Sequence, residues 1–165
     1  MSSSFDLSDV DSFATGTEGP AGQRVFYLQA VAGHQVVTLR VEKQQVALLA
    51  DYLARVVASS DFVAGEPTAM PAVVEPLIPE WTVGSMMVAI DEARARVIVI
   101  AEEMTIDDGD PDAAPTGSQA RFSLTRDQVD AFVAGAQEII SAGRPTCPLC
   151  GRPMDIGGHF CPRLN

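Results

Sequence analysis

Apolar residues recur at helical spacing in two stretches of the chain, which predicts helices over residues 43–59 and 126–142. Gly143 supplies a stop for the second helix, and Pro145 prevents its continuation. Each stripe of apolar residues is typical of a helix that packs on a core. The first stripe contains Val46, Leu49, Leu53, Val56 and Val57.

Stretches rich in β-branched and aromatic residues predict five strands, over residues 24–30, 35–42, 81–90, 94–103 and 119–124. The expected hairpin links are Ala32-Gly33-His34 and Asp91-Glu92-Ala93. Residues 60–80 contain four prolines, so an extended crossover is predicted there instead of a helix. The apolar residues expected to hold this crossover along the body are Val73, Val74, Leu77 and Ile78.

A short internal echo indicates two similar strand-to-helix units. Residues 41–46 (VEKQQV) align with residues 124–129 (LTRDQV), and the apolar stripes of the two helices continue in register. In the second copy, Thr125 and Gln128 are expected to form a capping box. We therefore predict an α+β fold with pseudo-repeated strand-strand-helix units, in which two helices cover one face of an antiparallel sheet. Convergence on good capping chemistry is the alternative for so short a match.

Composition divides the chain into three predicted parts. Residues 1–22 are rich in Ser, Asp and Gly and predict a flexible N-terminal segment. Residues 23–143 form the predicted α+β body, and residues 144–165 form a tail that contains all three cysteines. The glycine-rich stretch at 16–22 lacks the Lys-Ser/Thr pair of a P-loop and the strand-to-helix setting of a dinucleotide fingerprint, so a turn is favoured over a phosphate site.

The charge balance narrows the class of partner. Asp and Glu number 22 against 11 Lys and Arg, a formal net charge of -11. So acidic a body repels polyphosphates, which argues against a general nucleic-acid binder or a binder of anionic membranes. No apolar run approaches the roughly 18 residues that span a bilayer, and an acidic start is not typical of a secretory signal. We expect a cytoplasmic protein without membrane contact.

The cysteines carry the most specific signal in the chain. Cys147, Cys150 and Cys161 lie close to His159 in the tail, and an odd trio does not fit a disulfide framework. C-P-x-C-G is typical of a zinc knuckle, because two thiolates three positions apart can meet one ion across a tight turn. His159 and Cys161 would point to the same side of an extended segment. The spacing predicts a structural, closed Zn²⁺ site with four protein ligands.

A C-x-x-C redox pair with a stray third cysteine is the main alternative to zinc, and iron is another. A redox pair normally opens a helix, and Pro153 argues against a helix here. Because the tail is too short to have a core of its own, we expect it to be unfolded without metal.

Other candidate residues give weaker signals. Clustered acids can hold a cation or act as general acids in a pocket. The Pro and Gly residues around them instead indicate a solvated loop without either function. These acids are Glu102, Glu103, Asp107, Asp108, Asp110 and Asp112. Arg144, Arg152 and Arg163 make the tail basic; docking onto the acidic body or an acidic partner is favoured over nucleic-acid contact. His34, alone at a predicted turn, is expected at the surface.

The chain also resembles a known family of actinobacterial proteins, a domain of unknown function. The resemblance rests on GQRVFYLQA at residues 22–30, EKQQV at 42–46, CPLCG at 147–151 and HFCPR at 159–163, and it extends from about Phe13 to Arg163. The family's cysteines and histidine match Cys147, Cys150, His159 and Cys161. Genes of this family often lie near a histidine-phosphatase-like protein and near mycothiol biosynthesis. The resemblance implies a cytosolic housekeeping or redox-linked setting and transfers no catalytic residue.

These observations favour a zinc-binding, non-enzymatic interaction or adaptor protein with an unidentified protein partner. The ligand set is closed, and the sequence offers no convergent nucleophile–base pattern. An enzyme or small-ligand-binding protein with an acidic cleft is the first alternative. A nucleic-acid contact through the basic tail is the second, and it is not expected.

Overall fold

The computed structural model describes residues 2–106, 117–142, 146–154 and 158–164. Both predicted helices are confirmed, and each predicted strand lies within two residues of an observed one. The elements found in the described residues are β1 (Phe5–Leu7), β2 (Ser12–Glu18), β3 (Val25–Ala32), β4 (Gln35–Val41), α1 (Lys43–Ala58), β5 (Val83–Asp91), β6 (Arg96–Glu103), β7 (Gln119–Leu124) and α2 (Arg126–Ser141).

The predicted α+β class with antiparallel pairing is confirmed, but the strands form two sheets instead of one. The first sheet has the order β2-β3-β4, and the second has the order β1-β7-β6-β5. Each is an antiparallel meander, and β1 adds to the second sheet in parallel with β7. Two sheets arise because α1 and a long crossover separate the meanders, so each set of consecutive strands pairs within itself.

The prediction of a flexible segment over residues 1–22 is wrong, because that stretch contains β1 and β2. Small residues, among them Ala14 and Gly16, are the reason that composition did not predict β2. These two residues lie on the face of β2 opposite Phe13, where close packing leaves no room for large side chains. The predicted link Asp91-Glu92-Ala93 is also displaced: the hairpin turn occupies residues 92–95, and Ala95 has a φ of 51°.

The core lies between the sheets and a layer of two helices. Helix α1 packs against α2 and β3, and α2 also packs against β2 and β6. Three buried aromatic rings join these layers at the centre: Phe13 of β2 lies 5.5 Å from Phe122 of β7 and 4.8 Å from Phe132 of α2, measured between ring centroids. Tilted aromatic pairs at these distances add to the free energy of apolar burial.

The internal echo corresponds to a structural repeat of three strands and a helix. In both copies the third residue of the helix, Gln45 or Gln128, completes a capping box with the residue before the helix. Each glutamine also donates to the opposite unit, Gln45 to the carbonyl of Val83 and Gln128 to the carbonyl of Val10. The repeated glutamine therefore caps its own helix and binds the chain where it enters the other unit's meander.

The sheet edges show the same reciprocity. Strand β1, which precedes the first unit, pairs in parallel with β7 of the second. Residues 80–82, which precede the second unit, run parallel to β4 of the first: the Arg40 amide donates to the Trp81 carbonyl at 3.0 Å. In each unit, a short segment that precedes the first strand pairs with the outer strand of the other unit, and this pairing links the two units into one body.

The predicted crossover is confirmed as neither helix nor strand, and we call residues 61–80 the strap. The strap passes α2 in space, crosses the outer face of the first sheet and reaches β4. Its contacts differ in part from those expected, because Val74 and Ile78 are exposed while Leu77 is buried. Met70 takes part instead: a Cβ on Gly135 of α2 would lie 2.5 Å from the Cβ of Met70, so only glycine permits this approach.

Gln29, a buried polar residue of β3, holds the middle of the strap. Its side-chain oxygen accepts the Val74 amide at 2.6 Å, and its Nε2 donates to the Val74 carbonyl at 2.9 Å and to the Thr38 hydroxyl at 3.0 Å. The side chain therefore binds the strap as a neighbouring strand would.

We expect Gln29→Leu to lower the free energy of unfolding by about 2–3 kcal/mol, because it leaves the polar groups of Val74 and Thr38 without their partner. Urea denaturation would measure this loss, and amide exchange at Val74 would show whether the strap loosens. Gln44→Leu, at an exposed position of α1, is the control and should change stability by less than about 0.5 kcal/mol. Equal stability of the two variants would contradict the role given to Gln29.

Candidate metal centre

The first half of the candidate site is a tight turn over residues 147–151. The Gly151 amide donates to the Cys147 carbonyl at 2.9 Å, and the Cys147 amide donates to the Arg152 carbonyl at 2.8 Å. Gly151 has a φ of 71°, a left-handed conformation that residues with a Cβ rarely adopt. The turn brings the Cys147 and Cys150 side chains to one site, as the C-P-x-C-G spacing predicts.

The second half brings His159 and Cys161 to the same place. The ligand atoms of all four residues lie within 4.8 Å of one another, so the group can hold a metal ion. The Cys147 and Cys161 Sγ atoms are 3.9 Å apart, and the Cys150 Sγ lies 3.2 Å from the His159 Nε2. After Cys161 the chain turns again, with the Leu164 amide donating to the Cys161 carbonyl.

Backbone amides make the site electrostatically receptive to thiolate. The N–H groups of Cys150 and then Leu149 lower the pKa of the Cys147 thiol below its ordinary value. The N–H of Arg163 acts in the same direction on Cys161, but burial and the neighbouring Cys150 and Cys147 thiols outweigh it and raise the pKa of Cys161. Crowded thiols resist losing several protons together, and a bound cation removes that resistance.

The separations between ligand atoms are near the edges of a tetrahedral metal site, although the Cys150–His159 separation of 3.2 Å is shorter than the corresponding edge. Metal–sulfur bonds of about 2.3 Å and metal–nitrogen bonds of about 2.0 Å give tetrahedral edges of roughly 3.8 Å between sulfurs and 3.5 Å between sulfur and nitrogen. The 3.9 Å separation of Cys147 from Cys161 matches the first edge, and it is far too long for a disulfide of about 2.05 Å. All three cysteines are free.

The two predicted acids inside the described residues already have structural partners. Glu102 accepts the Ser85 hydroxyl at 2.7 Å on the outer face of the second sheet. Glu103 accepts the Ser2 hydroxyl and the Ser118 amide, and these bonds lower the pKa of its carboxyl. Neighbouring residues of one strand point to opposite faces, so the two carboxylates do not converge. The acids of the predicted loop, Asp107, Asp108, Asp110 and Asp112, lie outside the described residues.

The remaining predicted residues lie at the surface where the structure describes them. His34 is exposed in the two-residue turn between β3 and β4, as expected. Arg152 and Arg163 are exposed on the tail, and Arg144 lies outside the described residues.

The prediction made from the sequence of the tail did not include its exposed apolar residues. Phe160 is 84% exposed although it lies between His159 and Cys161, and Leu149 and Leu164 are also exposed. The available signal was position: an aromatic residue directly between two ligands of a small site can point only away from that site.

The sequence from β1 to the Cys/His cluster matches one protein family. The family model described as a protein of unknown function (DUF3090) matches residues 5–161. The chain belongs to the DUF3090 family. This match confirms the resemblance drawn from the sequence motifs, and it includes all four residues of the DUF3090 chain that form the cluster. No curated protein and no solved structure matches the chain. Neither described helix is long and apolar enough to cross a membrane.

Proposed function

We propose that this chain is a non-enzymatic, cytosolic interaction protein whose tail is a zinc-stabilised docking element. The observation that carries the proposal is the pairing of a compact Cys₃His cluster with a highly exposed Phe160 between two of its ligands. A metal held by these ligands would fix the backbone on both sides of Phe160, and a fixed aromatic side chain loses little entropy when a partner covers it.

Zinc is the metal that the donor set favours. Three thiolates and one imidazole in tetrahedral array are typical of structural zinc sites. Four protein ligands fill a tetrahedral shell, so zinc held this way offers no position for water or substrate. The cytosol suits the site because thiols remain reduced there.

The surface of the tail supports a protein partner. Leu149, Phe160 and Leu164 are exposed apolar residues within a short segment, which is unusual unless such residues are covered in a complex. Arg152 and Arg163 are exposed in the same segment of the sequence. Aromatic and arginine side chains are enriched in protein–protein interfaces, and the arginines suit an acidic partner surface.

We expect Phe160→Ala to keep the bound zinc but to lose the partner, because the side chain points away from the ligands. Affinity capture from native cytosol with quantitative mass spectrometry would compare wild type, Phe160→Ala and Cys147→Ser. A protein captured by the wild type should fall at least about tenfold in both variants, the loss expected for an interface hot spot. Val63→Ala, at an exposed apolar position of the strap, is the control and should capture as the wild type does.

Zinc content measured on the same samples separates the two parts of the proposal. If Phe160→Ala and the wild type capture the same proteins equally, the docking role is wrong even if zinc is present. If the wild type contains no zinc, the metal assignment is wrong whatever is captured.

A further inference from the structure

The two units of the repeat differ in what covers the space between a helix and an edge strand. Between α2 and β2 lies a groove along which the strap packs, and we call it the strap groove. Met70 packs on Gly135 of α2 and Val73 on Gly16 of β2. The cavities that remain there are lined by strap residues together with β2 and α2. The strap groove thus shows how this fold binds an extended, proline-containing segment.

The repeat places an equivalent groove between α1 and β5. Because residues 41–46 align with residues 124–129, Leu48 corresponds to Ala131 and Tyr52 to Gly135. The strand pairings extend the match to β2 and β5. Thr17 is linked through β3 to Val41 of β4, and Ile90 is linked through β6 to Leu124 of β7, so Thr17 corresponds to Ile90. Met86 then corresponds to Phe13 and Val88 to Thr15 by the same register.

This second groove, which we call the open groove, has a volume of about 640 Å³. Its lining includes Gln45, Leu48, Tyr52, Met86 and Val88, the counterparts of strap-groove residues. Leu48 is 62% exposed and Tyr52 is 48% exposed, so no segment in the described part of the chain covers these side chains. Strand β5 is also the last strand of its sheet. Gln45 binds the Val83 and Gly84 carbonyls at its start, and beyond Gly84 its outer edge has no strand beside it within the described residues.

Charge distinguishes the two grooves and defines the segment that suits the open one. Glu75 of the strap and Glu138 of α2 line the same cavity of the strap groove. The counterpart of Glu138 is Arg55, which lines the open groove, lies over the Tyr52 ring at 5.9 Å from its centroid and forms an exposed ion pair with Asp51 at 2.7 Å. A strap-like segment in the open groove would bring its acidic residue to this guanidinium, which it would share with Asp51, instead of to a carboxylate.

We propose that the open groove binds an extended, apolar, proline-containing segment of a partner protein, with an acidic residue that pairs with Arg55. The segment resembles residues 68–75 of the strap in chemistry. Tyr52 and Ala89 stand where the strap groove has Gly135 and Gly16, so the segment lies farther from the helix and the strand than the strap does. The segment would cross between α1 and β5, as the strap crosses between α2 and β2, with aliphatic side chains against Leu48 and Met86 and the acidic residue at Arg55. This surface is separate from the Cys₃His cluster, and binding there does not require the metal.

The probe is a fluorescent peptide with the strap sequence of residues 66–76, EPTAMPAVVEP, titrated with the full chain and followed by anisotropy. We expect saturable binding that weakens at least about tenfold in Leu48→Asp, which places a charge in the apolar groove. Gln44→Asp, exposed on α1 but outside the groove lining, should bind as the wild type does. Leu48 is exposed, so circular dichroism should show both variants folded.

A charge reversal tests the role of Arg55. Arg55→Glu should weaken the peptide, and a peptide carrying lysine in place of its second glutamate should restore binding to that variant. Cys147→Ser should bind the peptide normally, so loss of the metal centre and loss of this groove are distinguishable.

Three results would overturn the proposal. The first is the absence of saturable binding by the wild type. The second is binding that survives Leu48→Asp while the Val74 amide loses exchange protection, since the peptide would then have displaced the strap from its own groove. The third is a concentration-dependent dimer of the wild type that Leu48→Asp abolishes, which would assign the open groove to a second copy of the chain.

Discussion

Replacing Cys147 with serine is expected to abolish stoichiometric zinc binding and to unfold the tail, while the α+β body stays folded. The Cys147 side chain is buried in the cluster and faces Cys161, so its loss removes one of four ligands from the centre of the site. Structural zinc contributes on the order of 10–16 kcal/mol of apparent binding free energy in small zinc domains. A tail with so few buried residues has no other source of stability of that size.

Metal analysis and amide resonances would measure the two effects together. The wild type should contain about one zinc per chain, and a chelator should collapse the resonances of residues 146–164 without moving those of the body. Leu149→Ser is the matched control, since it changes an exposed residue of the same turn and no ligand. Stoichiometric zinc in Cys147→Ser would contradict the ligand assignment. A Cys147–Cys150 disulfide in metal-free wild type would favour the redox alternative.

The candidate ligand set could be predicted from sequence because all four residues lie within one short segment. Local spacing fixes what such a site needs: a turn between Cys147 and Cys150 and an extended pair at His159 and Cys161. Their convergence in the structure follows that spacing. The exposure of Phe160 was not predicted: its position between two ligands indicates that it points away from the site, but whether another part of the chain covers it does not follow from spacing.

The difference between local signals and contacts with distant residues also explains which parts of the fold were predicted and which were missed. Helices α1 and α2 were predicted because their apolar residues repeat with the helical period. Strand β2 was missed because small residues such as Ala14 and Gly16 are typical of a loop, and Gly16 packs against Val73 of the strap. The strap lies far along the chain from β2, so the local sequence gives no signal of this packing.

The structure shows a second role for the glutamines of the internal echo, which the sequence alone did not indicate. Capping alone would explain Gln45 and Gln128, and convergence was therefore a reasonable alternative. Each glutamine also binds the entry of the opposite unit, which a simple cap does not require. Where the repeat diverges, at Tyr52 against Gly135, one groove has the strap packed along it, and no segment of the described residues covers the other.

The largest loss of stability in the body is expected from Phe132→Ala, about 3–5 kcal/mol of unfolding free energy. Phe132 is fully buried and packs on Phe13, which in turn contacts Phe122. The ring therefore joins α2 to both sheets, and no single neighbour can close the cavity left by its removal. A cavity enclosed by two sheets and a helix cannot be relieved by the movement of a flexible segment.

Leu49→Ala is the matched comparison, because Leu49 is the repeat counterpart of Phe132 on α1. Leu49 is buried but lines the open groove, so its neighbours can relax into that space, and a loss of about 2 kcal/mol is expected. Urea denaturation of wild type, Phe132→Ala and Leu49→Ala would measure both losses, with the m-value as a check on two-state behaviour. Equal losses would mean that the two helices are equivalent in the core. A loss for Phe132→Ala that exceeds the loss for Leu49→Ala by more than the difference in side-chain size accounts for would mean that the aromatic cluster adds to the stability of the body.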